Sequence, residues 1–341
     1  EVSEAAQGML EALSKPFQLS SCELTISASI GIGLFPDNGL TVSSLLSRAD
    51  NAMYCAKESG RSGFQFYTEQ MDLDSLERVR LEQDLRTALK QEEFLLYFQP
   101  QVELQTGRLC GVETLVRWQH PTRGMVPPDV FIPVAEATGL IVPLGEWIIE
   151  QALCYLKLLQ DSVCNDFTLS INLSPRQFFQ KELPVFIQQA LEQFEINPSN
   201  VMFEITESMM MEDVDATVKT LNKLKSMGVL LSLDDFGTGY SSLSYLKRFP
   251  IDELKIDRAF IQGLPNDTDD IAIVSAIIAV AHALGIKLIA EGLESDAQLA
   301  LLKSLNCEFA QGYYFAKPMP YEALLIFVNS NSEERFLSLA H

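Results

Sequence analysis

One pattern constrains the fold of this chain more than any other. From residue 94 onward, short apolar, strand-like runs follow one another: FLLYF (94–98), CGVETLV (110–116), TLSIN (168–172), VMFEI (201–205), VLLSL (229–233), ELKID (253–257), IKLIA (286–290) and CEFAQ (307–311). Helical periodicity fills most of the gaps, near 145–160, 182–194, 213–227, 242–248, 269–284 and 296–305, and a last helix reads at about 321–328. Strands that alternate with helices over this length predict a (β/α)8 barrel of the TIM type. The first two strands are separated only by LQTG (104–107), whereas a parallel crossover needs a dozen or more residues. The first strand is therefore expected to run antiparallel to the second.

Residues ahead of the barrel read differently. Residues 1–13 have helical character, ELTISASIGIGLF (23–35) alternates as a strand should, and residues 42–59 carry a helical stripe of Val42, Leu45, Leu46, Ala49, Ala52, Met53 and Ala56. FQFY (64–67) is a short strand. Two strands and two helices without partners look like half of an α/β domain. A linking helix is expected over 75–91, with Asp74 and Glu77 at capping-box spacing and Leu76, Val79, Leu85 and Leu89 along one face. The expected division is 1–67 for the half-domain, 68–92 for the linker and first helix, 93–330 for the barrel and 331–341 for a tail.

Composition narrows the partners. Against 25 Lys and Arg stand 46 Asp and Glu, a net charge of -21 over 341 residues. Binding to DNA or to an anionic membrane needs clustered basic residues and is not expected. A hydrophobic content of 47% allows a large core and argues against wholesale disorder. The cysteines at 22, 55, 110, 154, 164 and 307 form no CxxC pair, and the three His are dispersed, so a Cys/His zinc site is not expected. Free thiols in a reducing, cytoplasmic compartment are the simpler reading. No apolar run reaches the ~18–20 residues of a membrane helix, so direct membrane insertion is not expected of this stretch. The opening EVSEAAQGML is acidic and amphipathic, unlike a signal peptide, and has the character of a helix entered midway. It reads as part of a longer protein, whose other segments are free to tether it to a membrane.

Chemistry in such a barrel gathers where strands end and loops begin, on the C-terminal face. The polar residues there are Glu113, Asn172, Glu204 and Glu207, Asp234 and Asp235, Lys255 and Asp257, Glu291 and Glu294, and Gln311. A single acid at a strand end is commonly a helix N-cap or a solvated rim group, and Asp257 is read that way. The set is another matter, because Glu113, Glu204, Asp234 and Glu291 are flanked by apolar barrel residues. Converging carboxylates cannot all ionise without compensation, and Lys255 is the only base among them. The all-oxygen group Glu113, Asn172, Glu204 and Asp234 suits Mg²⁺ or Mn²⁺. The neighbouring Asp234 and Asp235 offer a carboxylate for two ions to share, and paired ions clamp the attacking and leaving oxygens of a phosphoryl displacement. Ca²⁺, larger and looser in its coordination, is expected to be inhibitory. The segment DDFGTGYSS (234–242) follows strand five, and its glycines permit a tight turn close to a metal or a partner subunit.

These residues lie in longer motifs: YFQPQVEL (97–104), ETLVRWQHP (113–121), INLSPRQF (171–178), FEITES (203–208), LDDFGTGYSSLSYLKRFPIDELKIDRAFI (233–261), AEGLES (290–295) and QGYYFAKPMP (311–320). Through them, about residues 76–330 resemble the EAL domain, the cyclic di-GMP phosphodiesterase family. The resemblance implies a barrel with an antiparallel first strand and metal-dependent hydrolysis of cyclic di-GMP to linear pGpG. It implies that Glu113, Asn172, Glu204 and Asp234 are metal ligands and Asp235 a ligand of a second ion. Glu291 matches a metal- or water-binding Glu, Lys255 the Lys that contacts the hydrolytic water, and Glu207 the anchor of the loop after strand five. Gln99, Leu115, Arg117 and Gln311 match substrate-site residues, with Arg117 facing a phosphate. A homodimer through the barrel is also implied.

The one departure in the motif that names the family is Thr114 in place of Ala. Its side chain is expected to point away from that of Glu113, since neighbours alternate along a strand, and a buried hydroxyl there needs a partner. Residues 1–67 resemble the C-terminal half of a GGDEF domain, through ISASIGIGLFP (26–36) and ADNAMYCAKESGRSGFQFY (49–67). The GGDEF signature loop is absent, so cyclase chemistry is not expected of this stretch. A catalytically silent cyclic di-GMP receptor is the alternative, but such family members lack motif carboxylates and this chain keeps them. A two-carboxylate glycosidase is the third reading, and it needs neither the Asn, the Lys nor the paired Asp.

Overall fold

A computed structural model describes residues 1–18, 23–58, 62–162, 168–237 and 246–331. The chain forms two compact units, Glu1–Asp84 and Leu85–His341. The tail expected from 331 onward lies, after Asn331, outside the described residues.

The first unit contains helices Val2–Leu13 and Val42–Glu58. Strands β1 (Phe17–Gln18) and β2 (Glu23–Leu24) pair antiparallel, while β3 (Ile30–Ile32) and β4 (Phe64–Phe66) pair parallel. The single strand expected over 23–35 is corrected to these two short pieces. Residues 25–29 alternate in sequence but have no ladder partner among the described residues, and alternation alone makes no sheet. Helix Val42–Glu58 rests directly on β3: a Cβ on Gly31 would lie 1.9 Å from the Ala49 carbonyl oxygen and 2.2 Å from the Met53 nitrogen. The linking helix runs over Glu69–Ala88, earlier than the expected 75–91. Asp74 does not cap it, but lies inside it and accepts a hydrogen bond from Gln70 Nε2 at 2.8 Å.

The second unit is a closed barrel. Its eight strands are β5 (Phe94–Glu103), β6 (Leu109–His120), β8 (Thr168–Asn172), β9 (Val201–Thr206), β10 (Leu230–Phe236), β11 (Glu253–Ile256), β12 (Lys287–Glu291) and β13 (Phe309–Gln311). β6, β8, β9, β10, β11, β12 and β13 pair in parallel in that order, and β13 closes onto β5. β5 is antiparallel to both neighbours, as its short connection to β6 requires. Strand β7 (Gly124–Val126) extends β6 as a hairpin, and β14 (Met319–Pro320) lies along β5.

Helices Ile141–Ser162, Leu183–Gln193, Val214–Ser226, Thr268–Leu284, Asp296–Ser304 and Tyr321–Asn331 fall where periodicity places them. The helix expected at 242–248 lies mostly outside the described residues. Helix Pro128–Thr138 has no counterpart in the sequence reading; Pro128 sits at its first turn, where a proline is tolerated, and Pro133 lies within it.

Strand alternation separates core from site. One set of side chains is apolar and buried beneath the helices, including Val112, Ile171, Phe203, Leu231, Leu254, Leu288 and Ala310. The other set faces the barrel axis; it includes the buried polar residues Ser170, Ser232 and Glu253 and supplies the polar residues at the C-terminal ends. Thr114 belongs to the first set: it is buried, and its hydroxyl has no hydrogen-bond partner among the described residues. Thr114→Val keeps the shape and removes the unpaired hydroxyl. Thermal unfolding should show a gain of about 1 kcal/mol. A loss of stability would mean that the hydroxyl has a partner.

Candidate active site

Each of the eight barrel strands brings a polar side chain to the mouth: Gln99, Glu113, Asn172, Glu204, Asp234, Lys255, Glu291 and Gln311 in strand order, with Asp235 beside Asp234 on β10. Lys255 is at the centre and 1% exposed. Its Nζ lies 2.6 Å from Glu291 Oε1, 2.7 Å from Glu204 Oε2, 3.4 Å from Asp234 Oδ2 and 3.7 Å from Glu113 Oε2. Two amides hold Glu113 in place. Asn172 Nδ2 donates to Glu113 Oε1 at 2.8 Å, and Gln311 Nε2 donates to Glu113 Oε2 at 2.5 Å and to Gln99 Oε1 at 3.0 Å. Gln99 Nε2 in turn donates to the Ala316 carbonyl at 3.1 Å.

One ammonium against four carboxylates leaves a formal charge of 1 − 4 = −3 when all are ionised. Burial opposes the charge on Lys255, but Asp234, Glu113, Glu204 and Glu291 together raise its pKa well above the ordinary value. Burial, reinforced by Glu113 and Asp234, pushes Glu204 well above the carboxylate range despite Lys255. Burial likewise pushes Glu291 up to about 8, with Asp234 and Glu113 adding to it. Asp235 rises to about 6 through burial and the nearby Asp234 and Asp257.

A pH dependence follows for the metal-free protein. Glu291 moves from an ordinary 4.5 to about 8 on folding. A group raised in this way contributes stability that is fully present below about 4.5 and is lost as pH rises through about 8. Thermal unfolding in chelator should therefore weaken with rising pH more steeply for the parent than for Glu291→Gln. Parallel curves would contradict the assignment.

Glu207 is buried just after β9, and its Oε2 accepts a hydrogen bond from the Gly237 backbone nitrogen at 3.0 Å. It thus grips the start of the segment that follows Asp234 and Asp235. Gly237 has φ +98°, and a Cβ there would also crowd the Phe260 ring at 3.0 Å. Asp235 has φ +56°, a left-handed backbone uncommon for non-glycine residues, though Asp adopts it more readily than most. The remainder of that segment, 238–245, lies outside the described residues. Asp257 caps helix Arg258–Gln262, its Oδ1 accepting from the Ala259 nitrogen at 2.7 Å.

A cleft of about 340 Å³ opens over the cluster, and Gln99, Leu115, Asp235, Arg258, Gln262 and Tyr313 are among its walls. Arg258, Gln262 and Tyr313 were not singled out by the sequence reading, although they follow directly on β11 and β13. Arg117 is not part of the lining. Its guanidinium lies 5.5 Å from the Tyr97 ring centroid and donates to the Val116 carbonyl at 2.9 Å, and burial holds its pKa below the ordinary value. A larger groove of about 520 Å³ lies outside the barrel, between helices Leu183–Gln193 and Val214–Ser226. Size does not mark the chemistry here; convergent charged groups do.

Among the described residues, no three His, Cys, Asp or Glu side chains are gathered around a position for an ion. The acids close on the Lys255 ammonium instead. The donor set nevertheless fits a hard divalent cation. It consists of oxygens, it is short of positive charge, and Glu204 Oε1 is buried without a hydrogen-bond partner among the described residues.

Fold and mouth together define a (β/α)8 barrel with a reversed first strand and an acid-rich, lysine-centred site. Residues 82–318 match the family described as "EAL domain", and residues 1–63 match "Diguanylate cyclase, GGDEF domain". The chain belongs to the EAL-domain family, with a stretch of GGDEF sequence at its N-terminal end. It is 45% identical over 320 residues to "Bifunctional diguanylate cyclase/cyclic di-GMP phosphodiesterase MucR" of Pseudomonas aeruginosa, covering 94% of this chain and 47% of that protein. "Cyclic di-GMP phosphodiesterase NbdA" of the same organism is 37% identical over 325 residues, covering 95% of this chain and 42% of NbdA. A solved structure described as "PaMucR Phosphodiesterase, c-di-GMP complex" superposes with a TM-score of 0.70 at 46% identity, over 72% of this chain and 99% of that one. The chain spans about half the length of these curated relatives.

Proposed function

We propose that this chain is a metal-dependent phosphodiesterase that hydrolyses cyclic di-GMP to linear pGpG. The observation that carries the reading is the mouth itself, in which four carboxylates lie within 3.7 Å of the Lys255 ammonium beneath an open cleft. MucR and NbdA, which bear the phosphodiesterase name, and the MucR complex with cyclic di-GMP support it.

Glu113, Asn172, Glu204 and Asp234 would hold one Mg²⁺ or Mn²⁺, and Asp234 with Asp235 a second. Bound there, such ions supply Lewis acidity toward a phosphate oxygen and lower the pKa of water. Lys255 aligns the attacking water and offsets the charge that builds on phosphorus. A bond forms from the water oxygen to phosphorus, the bond to the ribose 3′ oxygen breaks, and a 5′-phosphate and a 3′-hydroxyl result. Glu291 holds water or metal beside Lys255. Gln99, Leu115 and Gln311 shape the substrate side; Arg117 is assigned to a phosphate, a role that requires its guanidinium to turn from the Tyr97 ring into the cleft. Glu207 keeps Asp235 aimed by holding Gly237.

A homodimer through the barrel and a cytoplasmic site of action belong to the same proposal. In its support, Cys55, Cys110, Cys154 and Cys307 form no disulfide among the described residues. No helix among the described residues is long and apolar enough to cross a membrane.

The test is incubation with cyclic di-GMP and Mg²⁺ or Mn²⁺, followed by separation of the nucleotides. Linear pGpG is expected. Tight binding with no product would favour the silent receptor.

The Glu207 assignment has its own test. Glu207→Ala should lower turnover and weaken binding of the second ion, with the thermal unfolding transition still cooperative. Unchanged turnover at saturating metal would reject the anchoring role.

A further inference from the structure

We infer that Lys255 also sets how tightly the site holds its divalent ions, because its ammonium competes with the ions for the same carboxylate oxygens. The inference rests on the metal-dependent reading above, and goes beyond the role of Lys255 toward water.

The oxygens that face Lys255 Nζ are Glu113 Oε2, Glu204 Oε2 and Asp234 Oδ2, at 3.7, 2.7 and 3.4 Å. They belong to three of the four residues assigned to the first ion. The fourth acid around the ammonium, Glu291, is outside that group and is its nearest partner at 2.6 Å. An ammonium has three hydrogens to donate, so it cannot satisfy four carboxylates fully. It is buried and fixed among them.

An ion that enters must either share those oxygens with a positive charge a few ångströms away or displace it. Two cations on the same carboxylates repel strongly where water is excluded. The flexible four-carbon stem of Lys gives the ammonium a way out, and Glu291 gives it a destination. Loading is then an exchange: the ammonium leaves Glu113, Glu204 and Asp234, keeps Glu291, and the ion takes the vacated oxygens. The lysine thereby holds the metal-free mouth together and keeps the ions exchangeable.

This reading makes an expectation opposite to that of a simple structural ion pair. Lys255→Met should bind Mn²⁺ more tightly than the parent, by about tenfold or more in calorimetric titration. Its metal-free thermal stability should fall, and the stabilisation produced by saturating Mn²⁺ should be larger than in the parent. Lys255→Arg, which keeps the charge, should stay near the parent affinity.

If Lys255→Met binds Mn²⁺ with equal or lower affinity while the parent binds it, this inference is overturned and the metal-dependent reading survives. If the parent does not bind Mn²⁺ at all, both are overturned. Should Lys255→Met fail to fold without metal, a crystal structure of the Mn²⁺-loaded parent decides. The ammonium is expected to have moved out of salt-bridge range of at least two of Glu113, Glu204 and Asp234 while staying on Glu291. An ammonium still in contact with all three beside a bound ion would overturn the exchange.

Discussion

Lys255→Met should lower the turnover of cyclic di-GMP by a factor on the order of 10²–10⁴ while leaving substrate affinity nearly intact. The competing account is that Lys255 is only a structural bridge among Glu113, Glu204, Asp234 and Glu291. Both accounts require a charged lysine, and the surrounding acids ensure it. They part on what the substitution removes. A bridge that only supports the fold would, once lost, reduce stability or metal binding, and turnover would recover when metal is supplied in excess. A group that aligns water and offsets charge on phosphorus acts in the transition state, so its loss lowers turnover even at saturating metal and substrate. Because the ammonium also competes with the ions, turnover and metal affinity are expected to move in opposite directions in this variant. Near-parent turnover in a folded, metal-loaded Lys255→Met protein would remove Lys255 from the chemistry.

Chelation should abolish hydrolysis, and Mg²⁺ or Mn²⁺ should restore it where Ca²⁺ does not. The physical ground is the shortage of positive charge in the mouth. Burial, reinforced by Glu113 and Asp234, holds Glu204 and Glu291 above the ordinary carboxylate range despite Lys255. A divalent cation removes that shortage and lets the acids ionise, so loading near neutral pH should also release protons. Ca²⁺ prefers more ligands at longer distances, and a rigid mouth built on strand ends adapts poorly to it. Added to the Mg²⁺ enzyme, it should inhibit. Full activity in excess chelator would reject the ligand assignment for Glu113, Asn172, Glu204 and Asp234.

Much of the barrel was legible because its strands are apolar on the side that meets the helices. TLSIN, for example, is the whole of β8. The reversal of β5 was legible from chain length alone, since LQTG is too short for a crossover. Less legible were features that depend on partners. The alternation of residues 23–35 looks like one strand, yet pairing stops after Leu24 and resumes at Ile30. Helix Pro128–Thr138 was hidden by prolines that the fold tolerates.

The polar residues of the site stood out because each interrupts an apolar run. Their convergence on one ammonium is a property of the closed barrel, and the order of residues along the chain does not contain it. Arg117 shows the reverse. It alternates in phase with Glu113 and Leu115, yet its guanidinium lies 5.5 Å from the ring of Tyr97, its diagonal neighbour on β5, and outside the lining of the cleft. Arg258 and Tyr313 carry no signal in isolation, and become walls of the cleft only because β11 and β13 end beside it.

Hydrolysis of cyclic di-GMP in water enriched in oxygen-18, with and without chelator, tests the account most directly. The account expects linear pGpG carrying one heavy oxygen, in its 5′-phosphate, when Mg²⁺ or Mn²⁺ is present, and intact cyclic di-GMP when the ions are chelated. Product formed at an undiminished rate in chelator, a label elsewhere than on phosphorus, or no product with either ion would contradict it.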